Sequence, residues 1–392
     1  MNPQVTEALR DTFQEFTDAT PPAGLARAAL RRARRQRLAR LTTGAVAACA
    51  ALAAVVGTVA VGLPGDGGTA GRTAAGGPGP SVVTAYSGVR DPKIADPSPA
   101  YNYSLLLNYR TGRYDRVPYR FAMPSPDGRR VLVGIGDNST AHPSRAGIMD
   151  RASGQVRWIE APPGITGFPG YSQDGHWSPD GRRILFTHRP RPGQGTGGFV
   201  LVDPDTLRTS FVALPDLETH NAQGHGLTWT PTSDGVALTL SVLNQQENAY
   251  ITTGIRFYDL SGKEQATVPV QTPLARSGAF SPDGGRMALV DEESPGPETV
   301  INVADPATGA LDRPVRLDRP ARLVGWADDR HLLVHVFGDS APPGAARHDQ
   351  FLVVDLDARV TRTLRPVDAG PQEIFLGPAA GLPADAAAKL TF

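Results

Sequence analysis

Hydrophobic residues follow two different patterns along the chain. Near the N-terminus they form a helix-like stripe and then one long uninterrupted run at residues 41–63. After residue 100 they form short runs, many of them alternating with polar residues and closed by Asp, Gly, Pro or Ser. Short runs of this kind indicate β-strands joined by tight turns. The sequence therefore predicts an all-β domain at residues 101–382, followed by a short tail at residues 383–392.

The long run contains no charged residue over 23 positions. As a helix it would be about 34 Å long, enough to cross a hydrocarbon core of about 30 Å. Seven Arg and no acidic residue lie between residues 27 and 40, and positive residues beside a span stay in the cytoplasm. We therefore expect a single transmembrane helix at residues 41–63 in the cell membrane, with the N-terminus inside and the all-β domain outside. A buried core helix and a cleaved signal peptide are the alternatives.

Residues 1–40 form a cytoplasmic segment with an apolar stripe. Its members recur at spacings of four, four and three, which places them on one side of a helix: Val5, Leu9, Phe13 and Phe16. The stripe can lie on the membrane surface, helped by the Arg cluster, or bind a cytoplasmic protein. A short tail, one span and an external domain resemble actinobacterial regulators of extracytoplasmic sigma factors, although residues 1–40 lack the paired Cys and His of the zinc-binding anti-sigma type.

Residues 64–100 are rich in Gly and Pro. Such a composition buries too little apolar surface to offset the entropy of ordering the chain. The segment is predicted to be a disordered linker.

A turn motif repeats through the remainder of the chain. The sequence SPDGRR at residues 125–130 returns at residues 178–183, and SPDGGR stands at residues 281–286. Weaker copies contain Asp234 with Gly235, and Asp329. The turn aspartates are 53, 54, 49 and 46 residues apart: Asp127, Asp180, Asp234, Asp283 and Asp329. Each step is the length of one four-stranded propeller blade.

The residue types of the motif suit a tight turn between two strands. Pro presets φ at the first corner, Asp accepts hydrogen bonds from the amides that follow, and Gly adopts the positive φ. We therefore assign a structural role to Asp127, Gly128, Asp180, Gly181, Asp234, Gly235, Asp283, Gly284 and Asp329. An aromatic residue precedes four of the turns, with three residues between Trp229 and Ser233 that indicate a local insertion. Packing between blades is expected to bury these aromatic residues: Trp177, Trp229, Phe280 and Trp326.

The two ends of the repeat region supply a sixth blade. Residues 103–117 read as a hairpin without inner strands, and residues 373–376 read as a lone strand. If they share a blade, both ends of the domain close the ring and no long edge is exposed. We predict six blades, with seven as the alternative. The W-S-P-D-G pattern resembles the TolB-type, WD-repeat-like propellers, a resemblance that implies this fold but not one function.

Composition removes several function classes. Lys plus Arg and Asp plus Glu balance at 39 each, so no global charge predicts nucleic-acid binding. The single Cys49 excludes an internal disulfide, and no residue pattern predicts a metal site, a cofactor or a catalytic centre. Counting four residues back from each pre-turn aromatic gives a polar, partly cationic set of residues: Gln173, His225, Arg276 and Arg322. Strand alternation predicts that their side chains share one side of the innermost strands, near the channel mouth. We predict that this set binds an anionic group.

The function predicted from the sequence is a membrane-anchored, non-catalytic module that binds an extracellular ligand or protein. One alternative is a transmembrane signalling regulator in which the propeller controls what residues 1–40 bind. A third is a propeller hydrolase.

Overall fold

The computed structural model describes the chain from residue 81 to residue 386, apart from residues 91–93, 95–97, 99–100, 138, 140, 170–174, 191–194, 222–224, 247–248, 277, 292–297, 337–349, 365–372 and 379–380. The cytoplasmic helix, the span at residues 41–63 and the first part of the linker lie outside the described residues. Within the described residues, no helix has the length and apolar character needed to span a membrane.

The first sheet joins the two ends of the described chain. It contains β1 (Ser81–Val89), β2 (Tyr103–Asn108), β3 (Arg113–Val117) and the last strand, β23 (Glu373–Pro378), in the order β23-β1-β2-β3. We call this sheet blade 6. The shared blade predicted from residues 103–117 and 373–376 is confirmed.

The linker prediction is wrong for residues 81–89, because they form β1 and supply the second strand of blade 6. Val82 and Val89 have no exposed surface there. β1 pairs with β23 on one side and β2 on the other, so its apolar residues gain enough burial to order a segment that adjoins a Gly- and Pro-rich stretch. The propeller therefore begins at residue 81 and not at residue 101.

Five further sheets follow in chain order. Blade 1 consists of β4 (Phe121–Pro124), β5 (Arg130–Ile135), β6 (Arg145–Asp150) and β7 (Val156–Trp158). Blade 2 consists of β8 (Gly175–Trp177), β9 (Ile184–His188), β10 (Gly198–Val202) and β11 (Thr209–Ala213). A short helix, α1 (Asp216–Thr219), leads to blade 3, which consists of β12 (Thr228–Trp229), β13 (Gly235–Asn244), β14 (Ala249–Asp259) and β15 (Glu264–Val268).

Blade 4 has three regular strands, β16 (Met287–Leu289), β17 (Thr299–Ala304) and β18 (Val315–Leu317). Its first-strand position is held by two isolated bridges, Leu274 with Leu289 and Phe280 with Met287. Blade 5 consists of β19 (Ala321–Asp328), β20 (His331–Val336), β21 (Gln350–Asp355) and β22 (Val360–Leu364).

The first strands lie innermost, since β23 contacts the first strands of both neighbouring blades, β4 and β19. Six sheets close the ring. The all-β, six-bladed propeller is thus confirmed, and the seven-bladed alternative is wrong.

The turn chemistry predicted from the motif is present in blades 1, 2 and 4. In each, the Ser hydroxyl donates to the Asp carboxylate at 2.6 Å, and the amide two residues after the Asp donates to the same oxygen at 2.9–3.0 Å. The glycines adopt φ values of +69°, +70° and +72° at Gly128, Gly181 and Gly284. The motif therefore closes its own hydrogen bonds and reverses the chain.

Blade 3 differs from the expected alignment. Its turn begins at Thr230, directly after Trp229, and Ser233 adopts the positive φ of +63°. Gly235 is the first residue of β13, where an added Cβ would lie 2.4 Å from the carbonyl oxygen of Tyr258. There is no insertion, because Thr230 takes the role of the motif serine.

Blade 5 shows a second departure from the motif. Asp328 accepts the turn amides of Arg330 and His331, at 2.7 and 2.9 Å. Asp329 instead accepts the amide of Asp283 in blade 4, at 2.9 Å. Asp329 is therefore structural as predicted, but it caps the neighbouring turn.

The predicted packing of aromatic residues between blades is observed for the three tryptophans, whereas Phe280 is only half-buried beside Phe257 of blade 3. Trp177, Trp229 and Trp326 are 7%, 5% and 7% exposed. Each indole N–H donates to a carbonyl in the preceding blade, at 3.0, 2.9 and 3.2 Å, and the acceptors occupy one equivalent position: Met123, His176 and Ala279. One recurrent hydrogen bond thus joins consecutive blades.

Candidate functional site

The ring has two chemically different faces. The turn face is the side that carries the turns after the first strands, at residues 125–129, 178–182, 230–234, 281–285 and 329–330. Because neighbouring strands are antiparallel, every first strand begins at the opposite side, which we call the loop face. Ser81 pairs with Pro378, so the chain enters β1 from the turn face.

Polar groups of the turn face bond to one another. The amide of Asp180 donates to Ser233 Oγ at 3.1 Å, and Arg286 Nη1 donates to the carbonyl of Asp329 at 3.0 Å, so adjacent turns are linked. Hydrogen bonds from the Ser281 hydroxyl and the Gly285 amide hold the pKa of Asp283 below its usual range. This ring of turns is a structural rim.

The residues of the predicted ligand ring do not occupy equivalent places on the loop face. Gln173 lies outside the described residues. His225 is buried in a loop before β12, where its amide donates to Asn221 Oδ1 at 2.8 Å and Asn221 Nδ2 donates to its carbonyl at 2.7 Å. His225 is therefore not on an extension of the strand.

Arg276 lies in a large bulge of blade 4. The single residue Ala288 bonds to both Ala275 and Ala279, through its carbonyl at 3.0 Å and its amide at 2.7 Å. The side chain of Arg276 is exposed. Strand alternation does not apply within a bulge, so counting back from Phe280 gives no valid orientation for this residue.

Arg322 lies on the opposite side of its blade from Trp326. The pairing of β19 with β20 shifts between Leu323 and Gly325, so Arg322 stands opposite His335 and not one position further along. His335 stacks on Phe351, 4.4 Å between ring centroids, in the cluster that faces blade 6. The expected common side for the four residues is therefore wrong, because two bulges change the phase. Binding of an anion by any of them stays a prediction.

Two residues on or next to the first strands were missed from the sequence. Arg120 is four residues before Pro124, the counterpart of the pre-turn aromatic in blade 1, and its Nη1 donates to the carbonyl of Gly136 at 3.0 Å. His176 is on the side of β8 that faces blade 3, because it pairs with Leu185, which packs in a cluster with Trp229. Counting five residues back from the motif Ser instead of four from an aromatic would have found Arg120, whereas His176 stands at a different position, two residues before Ser178.

His176 is nearly enclosed at the inner end of its blade. Part of its surface stays accessible, yet the protein surrounds the ring, and desolvation lowers the pKa of His176 to about 4. The imidazole is therefore neutral at physiological pH.

Blades 4 and 5 meet backbone to backbone. A Cβ added to Gly278 would lie 2.5 Å from the Cα of Gly325, and the two glycines have φ values of +51° and +154°. Only residues without a side chain permit this approach. The contact brings the bulge that carries Arg276 against the first strand of blade 5.

A polar cluster fixes α1 to blade 3. Arg256 Nη1 donates to Asp216 Oδ2 at 2.8 Å, the hydroxyl of Tyr258 donates to the same oxygen, and His220 Nδ1 lies 3.2 Å from Asp216 Oδ1. Burial, followed by the bond to Asp216, raises the pKa of Tyr258. The polar groups of this cluster form hydrogen bonds with one another, so the cluster positions the connection between blades 2 and 3. In the described part of the chain, no group of three or more His, Cys, Asp or Glu residues could hold a metal ion.

Comparison with known proteins gives a likeness of fold. No protein-family model and no curated protein sequence matches the chain. Solved structures that match include TolB from Acinetobacter baumannii, with 16% identity, a TM-score of 0.46 and coverage of 76% of this chain and 67% of that one. A putative TolB from Agrobacterium tumefaciens matches with 14% identity, a TM-score of 0.45 and coverage of 74% and 91%.

The β-propeller domain of the Trilobed protease from Pyrococcus furiosus also matches, with 15% identity, a TM-score of 0.44 and coverage of 69% of this chain and 77% of that one. TolB proteins, the resemblance indicated by the turn motif, are thus among the structures to which this chain is similar.

Proposed function

We propose that the chain is a membrane-anchored binding module whose propeller presents its loop face to a ligand or protein outside the cell, without making or breaking a bond. The observation that carries the proposal is the difference between the two faces. Polar groups of the turn face are engaged in the turns themselves, whereas the long connections between blades open at the loop face.

The path of the chain supports the same assignment. Residues 64–80 separate the predicted span from Ser81, and β1 starts at the turn face. An anchor at residues 41–63 would therefore join the propeller at the turn face, the side opposite the loop face. The exposed guanidinium of Arg276 makes an anionic group the first ligand chemistry to test.

The test measures ligand-induced thermal stabilisation of the full chain, with inorganic phosphate, teichoic-acid fragments and muropeptides as probes. We expect at least one probe to raise the unfolding temperature, with the shift reduced in Arg276→Ala and Arg322→Ala. Arg330→Ala is the matched control, because Arg330 is also exposed but lies on the turn face. Equal shifts in all variants, or a loss confined to Arg330→Ala, would remove the loop face from the proposal.

Mass spectrometry of the recovered probe checks the non-catalytic part. An unchanged mass after long incubation is expected, and a cleaved probe would make the propeller a hydrolase. Coupling to a cytoplasmic partner through Val5, Leu9, Phe13 and Phe16 stays a prediction, and a pull-down with residues 1–40 tests it.

A further inference from the structure

The hairpin of β13 and β14 extends beyond the other strands of blade 3. β12 pairs only with Val236 and Ala237, and β15 pairs with β14 only from Ile255 onward. The outer parts of β13 and β14, residues 241–244 and 249–252, pair with each other. Within the described residues, their one further bridge is between Ser241 and Asn221. The hairpin thus projects from the loop face as a two-stranded ribbon.

This ribbon carries exposed apolar side chains on both sides. Val242 lies opposite Ile251, and Leu243 lies opposite Tyr250. Their exposed fractions are 39%, 41%, 45% and 49% in that order, and they account for four of the seven large apolar side chains that are exposed among the described residues. The concentration of such residues on one hairpin indicates a contact surface.

The outer edge of β14 is also open to pairing. β15 ends at Val268 because the next residue is Pro269, which has no N–H to continue the ladder. Along residues 249–254 of β14, between the hairpin tip and Ile255, none of the described residues forms a strand on the outer side. Edges of this kind are normally blocked by Lys, Pro or strong bulges. Residues 249–252 contain neither Lys nor Pro, and the bulge in the β13–β14 pairing falls at Thr253, between these residues and Ile255.

The charge of the hairpin selects the occupant. Between Gly235 and Ile255 the only charged residue is Glu247, in a chain of which 20% is charged. Around a two-fold axis the residue at the axis faces its own copy, so a charge at that position would repel itself. An uncharged edge meets this requirement.

A lipid surface fits the hairpin less well. No Lys or Arg is present to attract anionic headgroups. The polar residues Asn244, Gln245 and Gln246 lie at the described end of the hairpin, so insertion would have to desolvate them before the apolar pairs reached the hydrocarbon.

We propose that two copies of this chain associate by antiparallel pairing of their β14 edges about a two-fold axis near Ile251. The four-stranded sheet so formed places Val242 and Ile251 of both copies in one row across one side, where cross-strand contacts stabilise it. The exposed apolar area is on the order of a few hundred Å² per copy, below the roughly 800 Å² per partner of stable interfaces. The dimer is therefore weak and depends on concentration.

Cross-linking of the full chain tests the geometry. Cys49 is the single cysteine, so Cys49→Ser provides a cysteine-free background in which Ile251→Cys should give a disulfide-linked dimer on mild oxidation. Val360→Cys is the matched control, because Val360 is 53% exposed on β22, away from the hairpin. Equal cross-linking at both positions, or a cross-link from position 251 to a different protein, overturns the proposal.

Sedimentation of the full chain in a neutral detergent tests the energetics. We expect a reversible dimer whose dissociation constant rises at least tenfold in Ile251→Lys, which opposes two ammonium groups at the axis, and stays unchanged in Val360→Lys. At a concentration well below the dissociation constant, where the chain is monomeric, the unfolding temperature should not change in either variant, since both side chains are exposed. A monomer at all concentrations, or a dimer that survives Ile251→Lys, overturns the proposal.

Discussion

Replacing Trp177 by Phe tests the hydrogen bond that joins consecutive blades. The indole is 7% exposed and donates to the carbonyl of Met123 at 3.0 Å. Phe fills most of the same space but has no N–H, so that buried carbonyl loses its donor. The loss costs about 1–3 kcal/mol, and the smaller ring adds about 1 kcal/mol. We therefore expect the free energy of unfolding to fall by about 2–4 kcal/mol.

The repeat makes the prediction stricter. Trp229 and Trp326 make the equivalent bond to His176 and Ala279, so Trp→Phe at either position should cost a similar amount. The fourth tryptophan, Trp158, is the matched control, because it is half-exposed on the outer strand β7 beneath the guanidinium of Arg145. Trp158→Phe should cost less than about 1 kcal/mol.

Equilibrium urea unfolding of the full chain, followed by far-ultraviolet circular dichroism, measures these differences without relying on tryptophan fluorescence. If Trp158→Phe costs as much as Trp177→Phe, the bonds between blades are not the source of the effect. If the three inner substitutions cost less than about 0.5 kcal/mol each, the carbonyls find other donors and the reasoning fails.

Three further predictions concern acid stability, backbone contact and location. The pKa of His176 is about 4 in the folded chain against about 6.5 when unfolded. The contribution of the neutral imidazole to the free energy of unfolding is therefore complete above pH 6.5 and is lost as the pH falls from 6.5 to 4. Urea unfolding at both pH values should therefore show about 2–3 kcal/mol less acid destabilisation in His176→Met than in the natural chain, and equal destabilisation would contradict the assignment. Gly278→Ala should lower the free energy of unfolding by at least about 3 kcal/mol, because the added Cβ meets Gly325. Gly154→Ala is the control: with φ of +72° and no atom within 4 Å, it should cost only the backbone strain of about 1 kcal/mol. Similar losses for both variants in urea unfolding would refute the close approach. Protease added to intact cells should remove the propeller and leave a fragment containing residues 41–63, and protection of the whole chain would exclude the external location.

The sequence allowed the blades to be recognised because the turn motif is local. Ser, Pro, Asp and Gly satisfy one another within a few residues, so their pattern survives whatever surrounds it, and the tryptophans that precede them are placed by the same register. The blade 3 turn was misaligned since Thr230 and Ser233 replace the Ser and Gly of the motif while keeping its hydrogen bonds and its positive φ. Strand β1 was missed because its burial depends on β23, almost 300 residues away.

The common side expected for the candidate ring was predicted wrongly because the prediction assumed that strand alternation continues without interruption over four residues. A bulge changes that phase without a clear sign in the sequence. Gly278 and Gly325 are the nearest signals, and each could equally have marked an ordinary turn. The pairing of Arg322 with His335 shows that Arg322 lies on the opposite side of its blade from Trp326, and the bulge opposite Ala288 removes the phase relation between Arg276 and Phe280.

The two proposals reinforce each other through concentration. An edge contact of a few hundred Å² is too weak to hold two propellers together at the dilution of a soluble protein. Anchoring through residues 41–63 would confine the propellers to a layer above one surface, where the effective concentration of tethered neighbours would reach the millimolar range. β1 starts at the turn face and the β13–β14 hairpin opens at the loop face, so the chain enters the propeller on the side away from the pairing edge. Dimerisation would then follow the surface density of the chain, and a ligand that covers the loop face would compete with it.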